Sequence, residues 1–362
     1  MNADEVSSIG DLKVSYKKYT KRKIAFISFC IAVAVISMGF SVSVGGRNIE
    51  FIQVYQTIFN HLFGTIPSPG TVEWMDDHII WNVRVPRAVF AAIAGAGLAV
   101  AGAVMQSVMK NPLADPYTTG ISSGACFGVA VAMVLGLTAF GSIGQYGLIL
   151  NAFMFAMIPM VLIVIMAPLS NKSPATLILA GVAISYLFNA LTTLLLVTTD
   201  AETLAEVYRW QIGSFRDITW ESVPLMVVIT AVGLIVILLL SKHLNLMALG
   251  DKHAKSMGLD VDALRVACLL IMSLMVASVI AFAGIIGFVG LISPHIVRMV
   301  IDADNKFVIP AAAAFGAAFL MGADIISRLL SDINLVPVGV VISFIGAPIF
   351  LYLIITQKRS IW

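Results

Sequence analysis

Residues 120–124 read Gly-Ile-Ser-Ser-Gly, a literal G-x-S-x-G. In hydrolases that pattern holds a nucleophilic serine on a sharp turn, and His295 is a conceivable base for Ser122. Acyl chemistry would need a strand before the serine, a helix after it and a carboxylate behind the histidine. Here a proline-containing turn precedes Ser122 and an apolar run follows. Small Ser and Gly residues capping a helix are the commoner reading.

Arg84 and Arg87, in Arg-Val-Pro-Arg, offer a different chemistry, as does Arg328 in Gly-Ala-Asp-Ile-Ile-Ser-Arg (322–328). A guanidinium grips a carboxylate through a planar fork, so these side chains suit docking of an acidic surface. The alternative is interfacial anchoring by snorkelling. Asn-Pro-Leu-Ala-Asp-Pro (111–116) stops a helix twice over, with Asp115 placed to cap the turn that follows. On spacing alone it is equally a structural corner or a break in a helical wall beside a pathway. Leu-Asn-Leu-Met-Ala-Leu-Gly-Asp-Lys-His-Ala-Lys-Ser-Met-Gly-Leu-Asp-Val (244–261) interrupts the apolar pattern with charges of both signs and two glycines. Cys30, Cys126 and Cys268 have neither metal nor disulfide spacing. No cofactor is expected. The chain has no G-x-x-x-x-G-K-[ST] sequence, so energy from ATP would have to come from another chain.

The elements that position these residues follow from composition. Of 362 residues 59% are hydrophobic and 12% charged, about half the charge of a soluble domain. The net charge of +2 gives no reason to expect nucleic acid. Apolar runs of about 20 residues, the length that crosses a bilayer, recur throughout. They predict ten spans at 24–44, 87–108, 118–137, 147–168, 175–198, 222–242, a seventh at 263–283, a short one at 286–300, and two more at 308–328 and 337–356. The polar leader 1–23 and the tail 358–362 flank one membrane domain, 24–357. With an even count and the N-terminus inside, all twelve lysines fall on one side. The other side collects Glu50, Glu73, Asp76, Asp77, Asp200, Glu202 and Glu206. By the positive-inside rule both termini and 244–261 are cytoplasmic, in the cell membrane. Buried chains of Asp, Glu and His, expected of a proton-coupled carrier, are not evident. That carrier remains the alternative reading, with an intramembrane serine hydrolase behind it.

Residues 84–125, Trp-Gln-Ile-Gly-Ser (210–214), 244–261, 287–298, 322–328 and 337–353 together resemble the permeases of iron-complex and cobalamin ABC importers, the FecCD type. The resemblance implies an all-α, ten-span, type II importer fold like that of cobalamin importers. It implies a metal-chelate cargo (ferric siderophore, haem or cobalamin) and alternating access. The implied partners are a second copy of the chain, two ATPase subunits and an extracytoplasmic binding protein. Arg84, Arg87 and Arg328 match the arginines that meet the binding protein. Asn111, Leu113 and Ser173 match the cytoplasmic gate, although Asn-Lys-Ser-Pro (171–174) departs from the Ser/Thr-rich loop of cobalamin members. Residues 244–261 match two short helices seated in the ATPase. There Leu246, Leu249, Met257 and Leu259 would fill an apolar groove, and Asp251, Lys252, His253 and Lys255 would stay wet at its rim. Gly250 and Gly258 would make the turns. The leader and a long first outer connection, 45–83, depart from the family pattern.

Overall fold

In lipid every backbone N–H and C=O must be satisfied within the segment, so apolar runs of this length become helices. The computed structural model describes residues 3–45, 47, 49–64, 67–138, 144–166, 174–330 and 336–356. They form α1 (Ala3–Ser43), α2 (Phe51–Phe63) and α3 (Val72–His78). A π turn (Ile79–Arg84) joins α3 without a break to α4 (Val85–Met109). A 3-10 turn (Pro116–Thr119) leads into α5 (Ile121–Leu135), followed by α6 (Gln145–Met166), α7 (Pro174–Val197) and α8 (Ala201–Gln211). The chain continues through α9 (Val223–Ala248), α10 (Asp251–Ser256), α11 (Val261–Ala283), α12 (Val289–Ile301), α13 (Asn305–Leu330) and α14 (Val338–Thr356).

Eight segments are long and apolar enough to cross a membrane, and α5 and α12 are shorter apolar helices. These ten coincide with the ten spans read from the sequence. The leader and the first span are parts of one helix that starts at Ala3. The connection 45–83 contains α2 and α3, and α3 continues outward from α4. At 1.5 Å per residue the continuous helix Val72–Met109 is roughly 55 Å long, well beyond a hydrocarbon core of about 30 Å.

α4 is the axis of the bundle and almost all its residues are buried. Its small residues let other helices reach its backbone, which is how helices gain contact in lipid. A Cβ on Gly102 would lie 1.7 Å from the Gly290 carbonyl oxygen of α12, so those two backbones touch. The segment 210–214 is pinned at the other side of the bundle. The Ser214 amide donates to Ala283 O at 2.8 Å and the Gly339 amide donates to Gly213 O at 2.8 Å, so the end of α11 and the start of α14 are joined.

Side-chain pairs define the two ends of the bundle. Lys110, after α4, meets Asp251 and Asn245 meets Asp304 at one end. Arg87, at the start of α4, meets Asp324 at the other.

Candidate functional site

At the arginine end the sequence-predicted trio divides. Arg87 donates to Asp324 Oδ1 through Nε at 2.9 Å and Nη2 at 2.6 Å. Arg328 donates to Asp324 Oδ2 through Nε at 3.0 Å and to Ser41 O at 2.7 Å. Asp324 is fully buried, so one carboxylate holds two guanidiniums and the cluster keeps a net positive charge. Arg84 does not join it. It is buried, and donates to the carbonyls of Val42 (2.8 Å), Ser43 (2.9 Å) and Arg47 (2.7 Å). Arg84, expected to dock an acidic surface with Arg87, is instead turned inward: the end of α1 exposes carbonyls without intrahelical partners, and Arg84 caps those of Val42 and Ser43.

At the lysine end α9 runs on to Ala248, then turns at Gly250 into α10. The expected pair of short helices is therefore one short helix plus the last turns of a span. Gly250 and Gly258 have φ of 113° and 84°, which side chains with a Cβ rarely adopt. Leu249 and Met257 are exposed. Leu246 and Leu259 are half-buried, and Leu259 packs on the bundle core. Lys252 and His253 are exposed. Asp251 is not simply a wet rim charge. It lies 2.5 Å from Lys110 Nζ and 2.8 Å from Nη2 of the buried Arg265. Burial works to raise its pKa, but the hydrogen bonds from Lys110 and Arg265, with their charges, outweigh that and hold the carboxyl below its usual range. Lys255 is tied to Asp262 at 3.0 Å.

The corner after α4 is ordered by local bonds. Asn111 Oδ1 accepts from the Leu113 amide at 2.9 Å, and Asp115 accepts from the Tyr117 amide at 3.2 Å, as its capping position predicts. Gln106 Nε2 donates to Pro112 O at 2.8 Å and to Leu291 O at 3.1 Å, which fastens the corner to α12. Leu113 is exposed. Ser173 lies outside the described residues.

Sequence reading missed one feature. A polar cavity of about 300 Å³ opens between α5, α7 and α8, lined among others by Ser122, Cys126, Asn189, Thr192, Tyr208 and Gln211. Its signal was present in α7, where Ser185, Asn189, Thr192 and Thr193 recur at helical spacing inside an apolar run. Gln211 Nε2 donates to Cys126 Sγ at 2.8 Å across it. α8 is started by Asp200, which accepts from the Thr203 and Glu202 amides at 2.9 and 3.0 Å. The Thr203 amide and hydroxyl bonds hold the Asp200 carboxyl below its usual pKa. Ser122 therefore faces a polar cavity, preceded by a 3-10 turn instead of a strand. Among the described residues there is no strand, only the isolated bridge Ile212–Ile285. The nucleophile-elbow context is missing.

The profile of the FecCD transport family matches residues 31–356. A hemin transport system permease protein of Yersinia pestis is 32% identical over 330 residues, covering 91% of this chain and 95% of that one. A molybdate import system permease protein of Haemophilus influenzae is 32% identical over 344 residues, 94% of this chain and 97% of the relative. A solved structure described as an inward-facing metal-chelate type ABC transporter superposes with a TM-score of 0.79 at 30% identity, covering 91% of this chain and 99% of that chain. With a bundle built around α4, an exposed short helix at its lysine end and a family match spanning nearly the whole sequence, the chain belongs to the FecCD transport family as a multi-pass permease of the ABC importer type.

Proposed function

We propose that two copies of this chain form the membrane unit of an ATP-driven importer for a metal chelate, with the lysine end in the cytoplasm. Two ATPase subunits bind that end and an extracytoplasmic binding protein docks on the arginine end. The observation that carries the reading is the form of α10. Leu249 and Met257 are exposed beside a six-residue helix, and Asp251 of that helix is ion-paired to the ends of α4 and α11. A partner gripping the two apolar side chains pulls on the central helix of the bundle.

The cavity between α5, α7 and α8 is the proposed wall of the pathway. α7 carries exposed apolar side chains along its length, including Leu179, Tyr186, Leu194 and Val197, which suit contact with a second copy. At the arginine end, Arg87 and Arg328 offer a positive cluster to acidic residues of the binding protein, while Arg84 holds the end of α1. Asn111 and Leu113 lie at the corner where α4 ends, the position of the proposed cytoplasmic gate, with Ser173 as its third member. The chelate cargo is supported by the hemin relative and the metal-chelate transporter.

The test is reconstitution in vesicles with the candidate ATPase and binding protein. ATP hydrolysis is compared with hemin, a ferric siderophore, cobalamin and molybdate. Stimulation by one of the chelates is expected. Stimulation by molybdate alone would move the cargo to oxyanions, and ATP-independent uptake driven by a proton gradient would overturn the importer reading.

A further inference from the structure

The connection between α1 and α4 holds two helices, α2 and α3, of which α2 is the longer. We propose that α2 is a bilayer-interface helix: one face packs on the bundle, one faces water and one enters the acyl region at the arginine end.

The argument starts from the sequence of α2, Phe-Ile-Gln-Val-Tyr-Gln-Thr-Ile-Phe-Asn-His-Leu-Phe, which contains no Asp, Glu, Lys or Arg. At about 100° per residue nine of its thirteen side chains sort into three stripes, and of the others Phe51 and Tyr55 lie toward α1. Val54, Thr57 and His61 share roughly 60° of the helix surface, and Val54 and Thr57 are buried. Gln53, Gln56 and Asn60 share the next 60° or so. Ile52, Phe59 and Phe63 fall within about 40° of one another on the third side. Those three are 68%, 59% and 70% exposed, and Leu62 beside them is 71% exposed. A helix wholly in water would not gather its apolar residues on an open face, and a helix wholly in lipid would not carry the amide stripe.

The place of α2 identifies what covers that face. The Phe51 ring packs against Phe40 of α1 with centroids 4.9 Å apart, and Phe40 is itself exposed. Tyr55 donates its hydroxyl to Val35 O at 2.7 Å, about two turns back from the end of the first membrane span. Phe29, Ile36 and Phe40 share an exposed apolar side of that span. The open face of α2 thus continues the exposed apolar side of a segment long and apolar enough to cross a membrane. On the protein side, His61 stacks on Trp81 with centroids 4.1 Å apart and pairs with Asp77 at 2.9 Å. Trp220 Nε1 donates to Trp81 O at 2.6 Å. The aromatic side chains around α2 match the composition of a membrane interface. Because α3 continues into α4, a lipid-seated α2 holds the outer end of the helix that bears Arg87.

The test uses the full-length chain in lipid vesicles. Nitroxide labels are placed singly through Phe59→Cys, Phe63→Cys, Gln56→Cys and Asn60→Cys, all against the buried native cysteines. At 59 and 63, oxygen should relax the label several-fold more than a water-soluble nickel chelate does, and at 56 and 60 the order should reverse. Nickel access at all four positions would overturn the proposal in favour of a solvated helix. Exclusion of both reagents at 59 and 63 would overturn it in favour of a second copy or protein partner. A lipid-soluble diazirine on the unsubstituted protein gives an independent reading. Adducts should form on Ile52, Phe59 or Phe63 as on α1 residues 29–40. Labelled α1 with unlabelled 51–63 would refute it.

Discussion

The Asp251 carboxylate lies 2.5 Å from Lys110 Nζ although 141 residues separate them. The second oxygen accepts from Arg265 at 2.8 Å. α10 is therefore tied to the end of α4 and the start of α11 at once. Asp251→Asn keeps an acceptor but removes the charge from both bonds. The variant is expected to bind its ATPase and hydrolyse ATP while uptake per ATP falls about tenfold, a loss of about 1.4 kcal/mol in coupling. Parallel measurement of hydrolysis and uptake in vesicles checks this, and a parental ratio would contradict it.

The two partners of Asp251 are not equivalent. Lys110 keeps 25% of its side chain exposed and Arg265 keeps 4%. Removing an exposed partner costs about 0–1 kcal/mol. Removing Arg265 also deletes a buried side chain and its packing, which costs more than losing an exposed ion pair. Arg265→Ala should lower the melting temperature clearly more than Lys110→Ala, and the opposite order would contradict the burial argument.

The depressed Asp251 carboxyl also fixes a pH dependence. An ordinary aspartate titrates near about 3.9. With the folded value lower, its stabilisation is present above that pH and is lost as pH falls through the folded value. The difference in melting temperature between parent and Asp251→Asn should hold from about pH 7 to 5 and shrink below about pH 4. A difference that grows on acidification would reverse the sign of the account.

Arg84 and Arg87 separate stability from docking. Arg84→Ala leaves two carbonyls at the end of α1 and that of Arg47 beyond it without their donor, a loss of about 1–3 kcal/mol, yet the folded fraction should bind the binding protein with parental affinity. Arg87→Ala leaves Asp324 paired with Arg328 and should weaken docking roughly tenfold at low salt, less at high salt. Melting curves and binding isotherms on both variants decide it; weakened docking by Arg84→Ala alone would restore that residue to the contact surface.

The close contact of α4 with α12 is equally exposed to test. Gly102→Ala drives a methyl into the Gly290 carbonyl and should prevent accumulation of folded protein. Gly322→Ala has open space around the added carbon and should stay within about 0.5 kcal/mol of the parent. Equal yields of folded protein would show that α4 and α12 can separate.

Much of the architecture was legible because apolar length alone specifies a span: the short segment 286–300 became α12, Val289–Ile301. The turn glycines of 244–261 were legible as well, since their conformations are open to few other residues. Partnerships were not. Nothing local in Arg-Val-Pro-Arg says that Arg84 caps α1 while Arg87 reaches Asp324, and Asp251 finds Lys110 only after the bundle closes. α2 and α3 were hidden because Gly, Asn and acidic residues interrupt the apolar pattern between 45 and 83. The polar stripe of α7 was hidden for the opposite reason, as four small polar residues vanish in the mean hydropathy of a span.

The claim at the centre of this account is that α10 and its flanking turns transmit force from an ATPase. The most direct measurement is copurification of the ATPase with a Leu249→Asp, Met257→Asp variant. Both side chains are exposed, so the isolated permease should insert and fold as before. Against a partner's apolar groove, two unpaired carboxylates cost several kcal/mol, and the ATPase should be lost while Lys252→Ala retains it. A double variant that keeps its ATPase and transports at the parental rate would contradict the account.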